Sequence, residues 1–520
     1  MNKLSVIACS IITLLSCTKS SSVVIYSENN FEEISGHAFC AYNLKGDGTS
    51  DDTQRLQKLL NDSSTIYLRA GVYLINQTLN FKPNTKLIGQ KGTIIKAGKS
   101  MGGTLLAHGR YIFAKQANNS LIENIKFIQS ENPYSFKEWA NACIFILDTQ
   151  NFEVRHCNFD FHLNYGKVGM EAVWVSGTDS KKNIINGNEI NTLGIRYAEN
   201  GADSTVVDAN ILTKAYSNAL TATGNHPSNF ILGCKVLNNK VLNAGRMGIE
   251  DWGNTDGTLI RGNSIDGTGK DPNQAIDGIA LSAVGTNTSV VNNVIKHGKV
   301  YGVEVRGNYG VRVSGNKIYG GPAFTGIILN YTFPAPADKL PISIVEKNTV
   351  SGALIGMHVF GNYESNAIVR SNSFTNNLSK GVSIESGAKN YLIQFKDNHF
   401  KFSVPNTQDR FAIFSYTKYP TGTANQQLIL IADTISFLPS AAAGKGVDFG
   451  VVIRTDNAKV ENLQVRANNN KNAANVPVNA ITAFGAKPAN VIFKNNHVFG
   501  GLVDLKGFKN LVLSGNNFVQ

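Results

Sequence analysis

Charge, proline and tryptophan are scarce in this chain. Of 520 residues only 17% are Asp, Glu, Lys or Arg, and there are 13 prolines and 3 tryptophans. So little charge, against the ~25% usual in globular domains, excludes a coiled coil and a charged disordered chain. Glycine is common, at 49 residues, but follows no three-residue period, which excludes a collagen-like helix. No apolar run beyond the N-terminal segment is long enough for a spanning helix. There is no H-E-x-x-H, no C-x-x-C pair and no EF-hand loop, so no motif-borne metal site stands out. No glycine-rich phosphate loop follows a βαβ unit, and no G-x-S-x-G anchors a serine triad. The net charge of +12 suits an anionic partner, either an acidic polysaccharide or a membrane surface. Without a basic run or a recognition motif, nucleic acid is set aside.

The N-terminus points to export. Met1-Asn2-Lys3 is a short basic start, and Leu4 to Ser16 is mostly apolar and too short to cross a bilayer. It ends in Leu14-Leu15-Ser16-Cys17, which resembles the lipobox of bacterial lipoproteins. That resemblance implies cleavage before Cys17 and lipidation of its thiol, with residues 1–16 as signal peptide and 17–37 as anchor and tether. The destination implied is the cell envelope, on the outer membrane. Of the other cysteines, Cys40, Cys143, Cys157 and Cys234 lie far apart and form no disulfide framework, so they read as small apolar core residues.

One hexapeptide recurs: apolar-x-x-Asn-x-apolar. Its asparagines fall at 188, 210, 239, 263, 293, 316, 348, 372 and 398, then at 496 and 516, and successive spacings through residue 398 run from 22 to 32. Ile125 and Cys157 hold the same slot earlier. Short β runs repeating at this period are satisfied by a solenoid in which each repeat is one coil, stacked so that neighbours bury each other's faces. The asparagine would sit at a bend and point inward, where its amide can bond backbone and the next asparagine. The expected fold is all-β: a single parallel β-helix over residues 38–520.

The entry segment carries a family resemblance. Gly46-Asp47-Gly48-Thr49-Ser50-Asp51-Asp52 leads into an amphipathic stretch, expected as a helix from about Asp51 to Leu60 with Ser50 as its cap. Apolar-rich runs follow at Thr65 to Ile75 and Thr85 to Gly98. This resembles the start of the pectate-lyase-like right-handed parallel β-helix superfamily, which holds polygalacturonase-like hydrolases, lyases and phage tailspikes. The resemblance implies right-handed coils, with the helix closing one end, and a structural role for Asp47, Asp51 and Asp52. Asn254-Thr255-Asp256-Gly257 has the letters of a polygalacturonase motif, but no G-H-G or R-I-K element follows, so polygalacturonase proper is rejected. The D-P-H-D motif of alginate epimerases is absent as well.

Stacking the strand before each asparagine gives an outward column: Trp174, Arg196, Thr221, Glu250, Ala280, Glu304, Ile328, His358, Ser383. Strand spacing of ~4.8 Å would place Glu250 and Glu304 two coils apart, with backbones ~9.6 Å apart. Their carboxyl groups could then meet the ~6.5–9.5 Å separation of inverting glycosidases. Asp251 is the odd polar member of the inward column, as either an assisting catalytic group or a satisfied structural one. Arg306 could clamp a substrate carboxylate or pair with Glu304, and His358 could serve as acid or base near neutral pH. Trp252, Tyr309 and Tyr331 offer aromatic faces for sugar stacking. The leading expectation is a glycoside hydrolase acting on an acidic polysaccharide through Glu250, Glu304 and Asp251. A β-eliminating lyase using Arg306 or His358, with calcium, is the alternative, and a non-catalytic glycan-binding surface lipoprotein is the third. The hydrolase needs no cofactor.

Overall fold

Each hexapeptide builds one corner of a coil. At Val236 to Val241, the strand Lys235–Leu237 ends, Asn238 turns the chain, and the strand Lys240–Leu242 leaves in a new direction. The turning residue sits in the left-handed region, with φ of 54° at Ala209, 51° at Asn238 and 70° at Gly262. Such a conformation is strained for alanine or lysine and persists where the surroundings over-determine it. What over-determines it is the next residue, the inward asparagine.

In this computed structural model the structure describes residues 44–98, 109–129, 141–162, 170–224, 229–307, 309–334, 342–386, 391–417, 426–438, 446–467 and 478–519. It also describes the strand Val23–Ile25 and residues 101, 164 and 165. The coils form three long parallel sheets of 18, 18 and 16 strands. Sheet and coil order are those of a right-handed parallel β-helix. Inward positions stack on like positions of the next coil. Phe127 lies on Phe159 with ring centroids 5.1 Å apart, and Phe374 on Phe400 at 5.1 Å. Truncating one such buried ring to alanine costs ~3–5 kcal/mol in typical cores.

The asparagines form one continuous ladder. The backbone N–H and Nδ2 of Asn188 both donate to Oδ1 of Asn210, at 3.0 and 2.8 Å. The pattern repeats coil by coil to Asn398, which donates both groups to Oδ1 of Asp433 at 2.8 and 3.0 Å. Each Nδ2 also reaches a carbonyl of the coil before, as Asn210 does to Ile185 at 2.9 Å. Cys157 joins through its backbone N–H, which donates to Asn188 at 2.9 Å. The coils between residues 398 and 496 put Asp433 and Leu463 in the slot, which hid them from a search for asparagine. Cys143, Cys157 and Cys234 are buried free thiols.

The helix α1 spans Thr53–Asp62, two residues later than expected, and buries Leu56, Leu59 and Leu60. Ser50 does not cap it, because its hydroxyl donates to Asp47 at 2.7 Å. Asp51 instead accepts the Thr53 N–H at 2.9 Å, and Asp52 accepts the Lys45 and Gly46 N–H groups at 2.8 and 2.9 Å. All three aspartates brace the entry turn. Val23–Ile25, expected within the tether, pair in parallel with Thr65–Tyr67. Cys17 and Cys40 lie outside the described residues. Among the described residues no helix is long and apolar enough to cross a membrane.

Asp433 carries a consequence for stability. Burial pushes its carboxyl up to about 7, against hydrogen bonds from Asn398. Its Oδ2 has no partner among the described residues, and it occupies the place where each asparagine presents Nδ2. The folded chain therefore holds this proton more tightly than the unfolded chain. The stability tied to it is complete below pH ~4 and is lost as pH rises through about 7. Asp433→Asn restores the donor without a titration, so it should melt above the parent at about pH 8 and close to it at about pH 4. Thermal midpoints measured across that range check this; equal midpoints at both ends would refute it.

Candidate active site

The third sheet presents one face outward, and its register assigns the columns. Trp174 pairs with Arg196, Arg196 with Thr221, and Thr221 with Glu250. Glu250 then pairs with Ser282, Ser282 with Glu304, Glu304 with Ile328, and Ile328 with His358. The residue between the two glutamates is thus Ser282 and not Ala280. The expected column slips by two residues at this coil, which preserves the face but changes the neighbour. The cause is the long connection from Asp266 to Leu281, which carries the short 3-10 turn Ala275–Asp277.

That connection walls one side of a cleft of about 770 Å³. Thr221, Glu250, Ser282 and Glu304 form its floor, and Trp252 stands at its edge. Asn218, Arg246 and Asp277 line the wall. Glu250 is held from both sides: Asn218 Nδ2 donates to its Oε2 at 2.6 Å, and Arg246 Nη1 lies 3.5 Å from Oε1. Burial raises its pKa, and the charges of Arg246 and Arg196 oppose the rise. Glu304 is also raised by burial, opposed by Asn330 Nδ2 at 3.3 Å, the Ser282 hydroxyl at 3.4 Å and the more distant charge of Arg306. No cation lies within ion-pair distance of Glu304 among the described residues. Both carboxyls are thus raised by burial, but Glu250 has a cation at 3.5 Å and Glu304 has neutral donors alone at hydrogen-bond distance.

A second carboxylate group deepens the cleft. Burial pushes Glu171 up to about 7, against the charge of Arg196 and the Tyr216 hydroxyl. Arg196 lies between Glu171 and Glu199, with N–O distances of 3.9 and 3.5 Å, and over the Trp174 ring at 4.5 Å. Glu199 reaches this place through a bulge that shifts the register after Arg196.

The remaining sequence candidates separate. Trp252 is 39% exposed at the cleft edge. Arg306 makes no ion pair with Glu304 within 4 Å; its guanidinium lies over the rings of Trp252, Tyr309 and Phe333 at 5.5, 5.0 and 4.3 Å. Tyr309 is therefore part of an aromatic cradle for Arg306. Tyr331 does not face the cleft. It is buried, its hydroxyl donates to the Asn366 carbonyl at 3.0 Å, and a Cβ on Gly307 would fall 2.2 Å from its ring. His358 stands two coils beyond Glu304, 3.6 Å from Glu385. Among the described residues no group of three His, Cys, Asp or Glu side chains is arranged to hold a metal ion.

Residues 40–321 match the profile of the family described as rhamnogalacturonase A/epimerase, pectate lyase-like. The chain belongs to this family. No curated protein sequence matches it. Similar solved structures include PfbA, a surface adhesin of Streptococcus pneumoniae, at 14% identity over 73% of this chain and 90% of that one, with a TM-score of 0.46. The periplasmic alginate epimerase AlgG is 13% identical over 90% of each chain, with a TM-score of 0.37. The catalytic domain of a GH87 α-1,3-glucanase is 13% identical over 90% of this chain and 68% of that one, with a TM-score of 0.34.

In this pectate lyase-like chain the sequence left several cleft residues unmarked: Glu171, Tyr216, Asn218, Arg246 and Asp277. Most come from turns, where no period flags them. Arg246 and Asn218 do share a signal, each falling shortly before the strand that enters the floor. Asp251, a candidate catalytic group, points away from the cleft into the interior. It is fully buried and accepts the Thr258 and Thr288 hydroxyls at 3.2 and 3.0 Å, and burial pushes its pKa up to about 6. Asp251→Ala would strand two buried hydroxyls and should destabilise the fold by roughly 2–5 kcal/mol. The folded fraction should keep wild-type specific activity. Denaturant titration with an active-fraction assay checks both, and a lost rate with an intact midpoint would return Asp251 to the chemistry.

Proposed function

We propose that this protein cleaves an acidic polysaccharide outside the cytoplasm as an inverting glycoside hydrolase. The observation that carries the reading is the pairing of Glu250 and Glu304 across Ser282 on the floor of one cleft. Two strand steps separate their backbones by ~9.6 Å. That leaves room for a water between one carboxyl group and the sugar, as inversion requires. Glu304 donates its proton to the glycosidic oxygen as the bond to the anomeric carbon breaks. Glu250 takes a proton from the water whose oxygen bonds to the opposite face of that carbon. Arg246 and Asn218 aim Glu250 and oppose the rise that burial gives its pKa, and Trp252 gives a flat apolar face against which a sugar ring can rest. The family name itself joins a polysaccharide hydrolase with an epimerase, which fits a glycan substrate.

Glu304→Gln should lower turnover by at least ~10², the lower end of what acid–base catalysis contributes. Its midpoint should hold or rise, because a desolvated carboxyl is replaced by a neutral amide. Wild-type activity should fall as pH rises through the elevated pKa of Glu304, since the acid must be protonated. Digestion of a panel of uronate-containing glycans reads the products. New reducing ends without ultraviolet absorbance support hydrolysis, unsaturated ends would replace it with β-elimination, and binding without cleavage would make the cleft a lectin site.

The envelope location rests on Cys17, whose lipidation would hold the enzyme at the membrane near its polymer. Cys17→Ala should leave the membrane fraction or remain unprocessed. Retention of a correctly cleaved variant in that fraction would remove the anchor.

A further inference from the structure

The outward column beside the glutamates continues far beyond the cleft. Arg306 pairs in register with Asn330, Asn330 with Phe360, Phe360 with Glu385, Glu385 with Tyr416, and Tyr416 with Arg454. The column begins and ends on an arginine laid over an aromatic ring. Arg306 lies 4.3 Å from the centroid of Phe333, and Arg454 lies 5.1 Å from that of Tyr416. Neither arginine has a carboxylate within ion-pair distance among the described residues, and the Nε of each is buried without a partner. Five strand steps set their backbones ~24 Å apart along a straight line.

The charges between them are already balanced. Glu385 accepts Lys380 Nζ at 2.9 Å and the Ser383 hydroxyl at 2.7 Å, with His358 3.6 Å away. These contacts hold the Glu385 carboxyl below its ordinary pKa, the nearby His358 ring contributing most. Lys380 also lies over the Phe414 ring at 4.6 Å. The stretch is thus a line of aromatic rings and satisfied polar groups, with an unpaired cation at each end. Residue 321 ends the segment that matches the family, so Arg454 and Tyr416 stand outside it.

We infer that this column is a binding track for an extended polyuronate chain, with Arg454 on Tyr416 as a distal anionic subsite. The inference rests on the reading of the cleft as a polysaccharide site. The occupant follows from charge complementarity. A guanidinium takes a carboxylate in bidentate fashion, and the part of the Tyr416 ring left exposed beside it can rest against a sugar. Two such stations five coils apart require one flexible polymer bearing carboxylates at more than one sugar. A single small anion could not engage both, so the track selects for chain length as well as charge. The gain from the second station is that of a linked site, which adds affinity once the ligand is long enough to span the gap.

Affinity electrophoresis tests this, with polygalacturonate and alginate as the immobilised polymers and the Glu304→Gln variant as background to prevent cleavage. The background protein should be retarded by at least one of the two. Adding Arg454→Ala should weaken apparent binding about tenfold, the loss expected for one hydrogen-bonded charge. Competition by oligouronates too short to reach from the cleft to Arg454 should change less than about twofold, because they never span the gap. Arg454→Lys, which keeps the charge but loses the two-pronged donor, should recover only part of the retardation, and thermal midpoints should match the parent for both variants. No retardation by either polymer, no change on Arg454→Ala, or an equal loss for short and long ligands would each overturn the track. The cleft reading is judged separately, by turnover of Glu304→Gln on whatever glycan the wild type cleaves. A failed track with a crippled Glu304→Gln would leave the hydrolase standing.

Discussion

The fold depends on a line of buried amides. Backbone groups at a tight corner lose their water and need partners. From Asn188 to Asn398, each inward side chain accepts from the coil before and donates to the coil after and to a carbonyl. The corner residue can then stay in the left-handed region whether it is Gly262, Ala209 or Lys347. Because most coils repeat the solution, parallel pairing continues through sheets of 16 to 18 strands. The outward columns inherit that pairing, and the cleft exists because they do.

Much of this was legible in the sequence, for a physical reason. An amide that must both donate and accept at a fixed bend leaves few choices of residue, so the slot repeats visibly. Where another residue fills it, the coil vanishes from view: Asp433 accepts as asparagine does, and Leu463 uses only its backbone N–H, which donates to Asn496 at 2.9 Å. The strand faces were legible as well, since alternation inside and outside is enforced by the apolar interior. Glu250, Glu304, Trp252 and Arg306 stood on the outward face as their positions in the repeat implied.

What was hidden belongs to the loops and to strand length. The connection after Asp266 adds residues that no period counts, and the alignment slipped from Ser282 to Ala280 there. Tyr331 was expected to offer its face to a sugar, but its strand runs from Thr325 to Tyr331 and carries the ring inward against Gly307. Arg246, Asn218 and Asp277 act from turns, and nothing in a turn sequence says which strand it will lean over. The floor of the site was therefore readable and its walls were not. The aromatic-rich stretch from 134 to 165 could be read as an added wall, but apart from 134–140 and 163, which lie outside the described residues, it builds coil: Ala142–Leu147, Glu153–Arg155 and Asn158–Asp160 are strands, and Phe161 is buried. Tyr165 is described, and its hydroxyl donates to the Asn243 carbonyl at 2.8 Å.

The stacking of coils also acts as a graduated rule. Side chains on one outward column can stand only whole steps apart, each ~4.8 Å. One step lies near the ~5–5.5 Å at which a carboxylate attacks the sugar itself, and two steps admit a water between. On such a scaffold the stereochemical outcome of a glycosidase is set in discrete units, by which rung carries the second carboxylate. Ser282 occupies the rung between Glu250 and Glu304, so a neutral residue stands between the two carboxylates and sets their strands two steps apart. A solenoid of this kind can exchange one reaction course for another by a single side chain, with no change to its backbone.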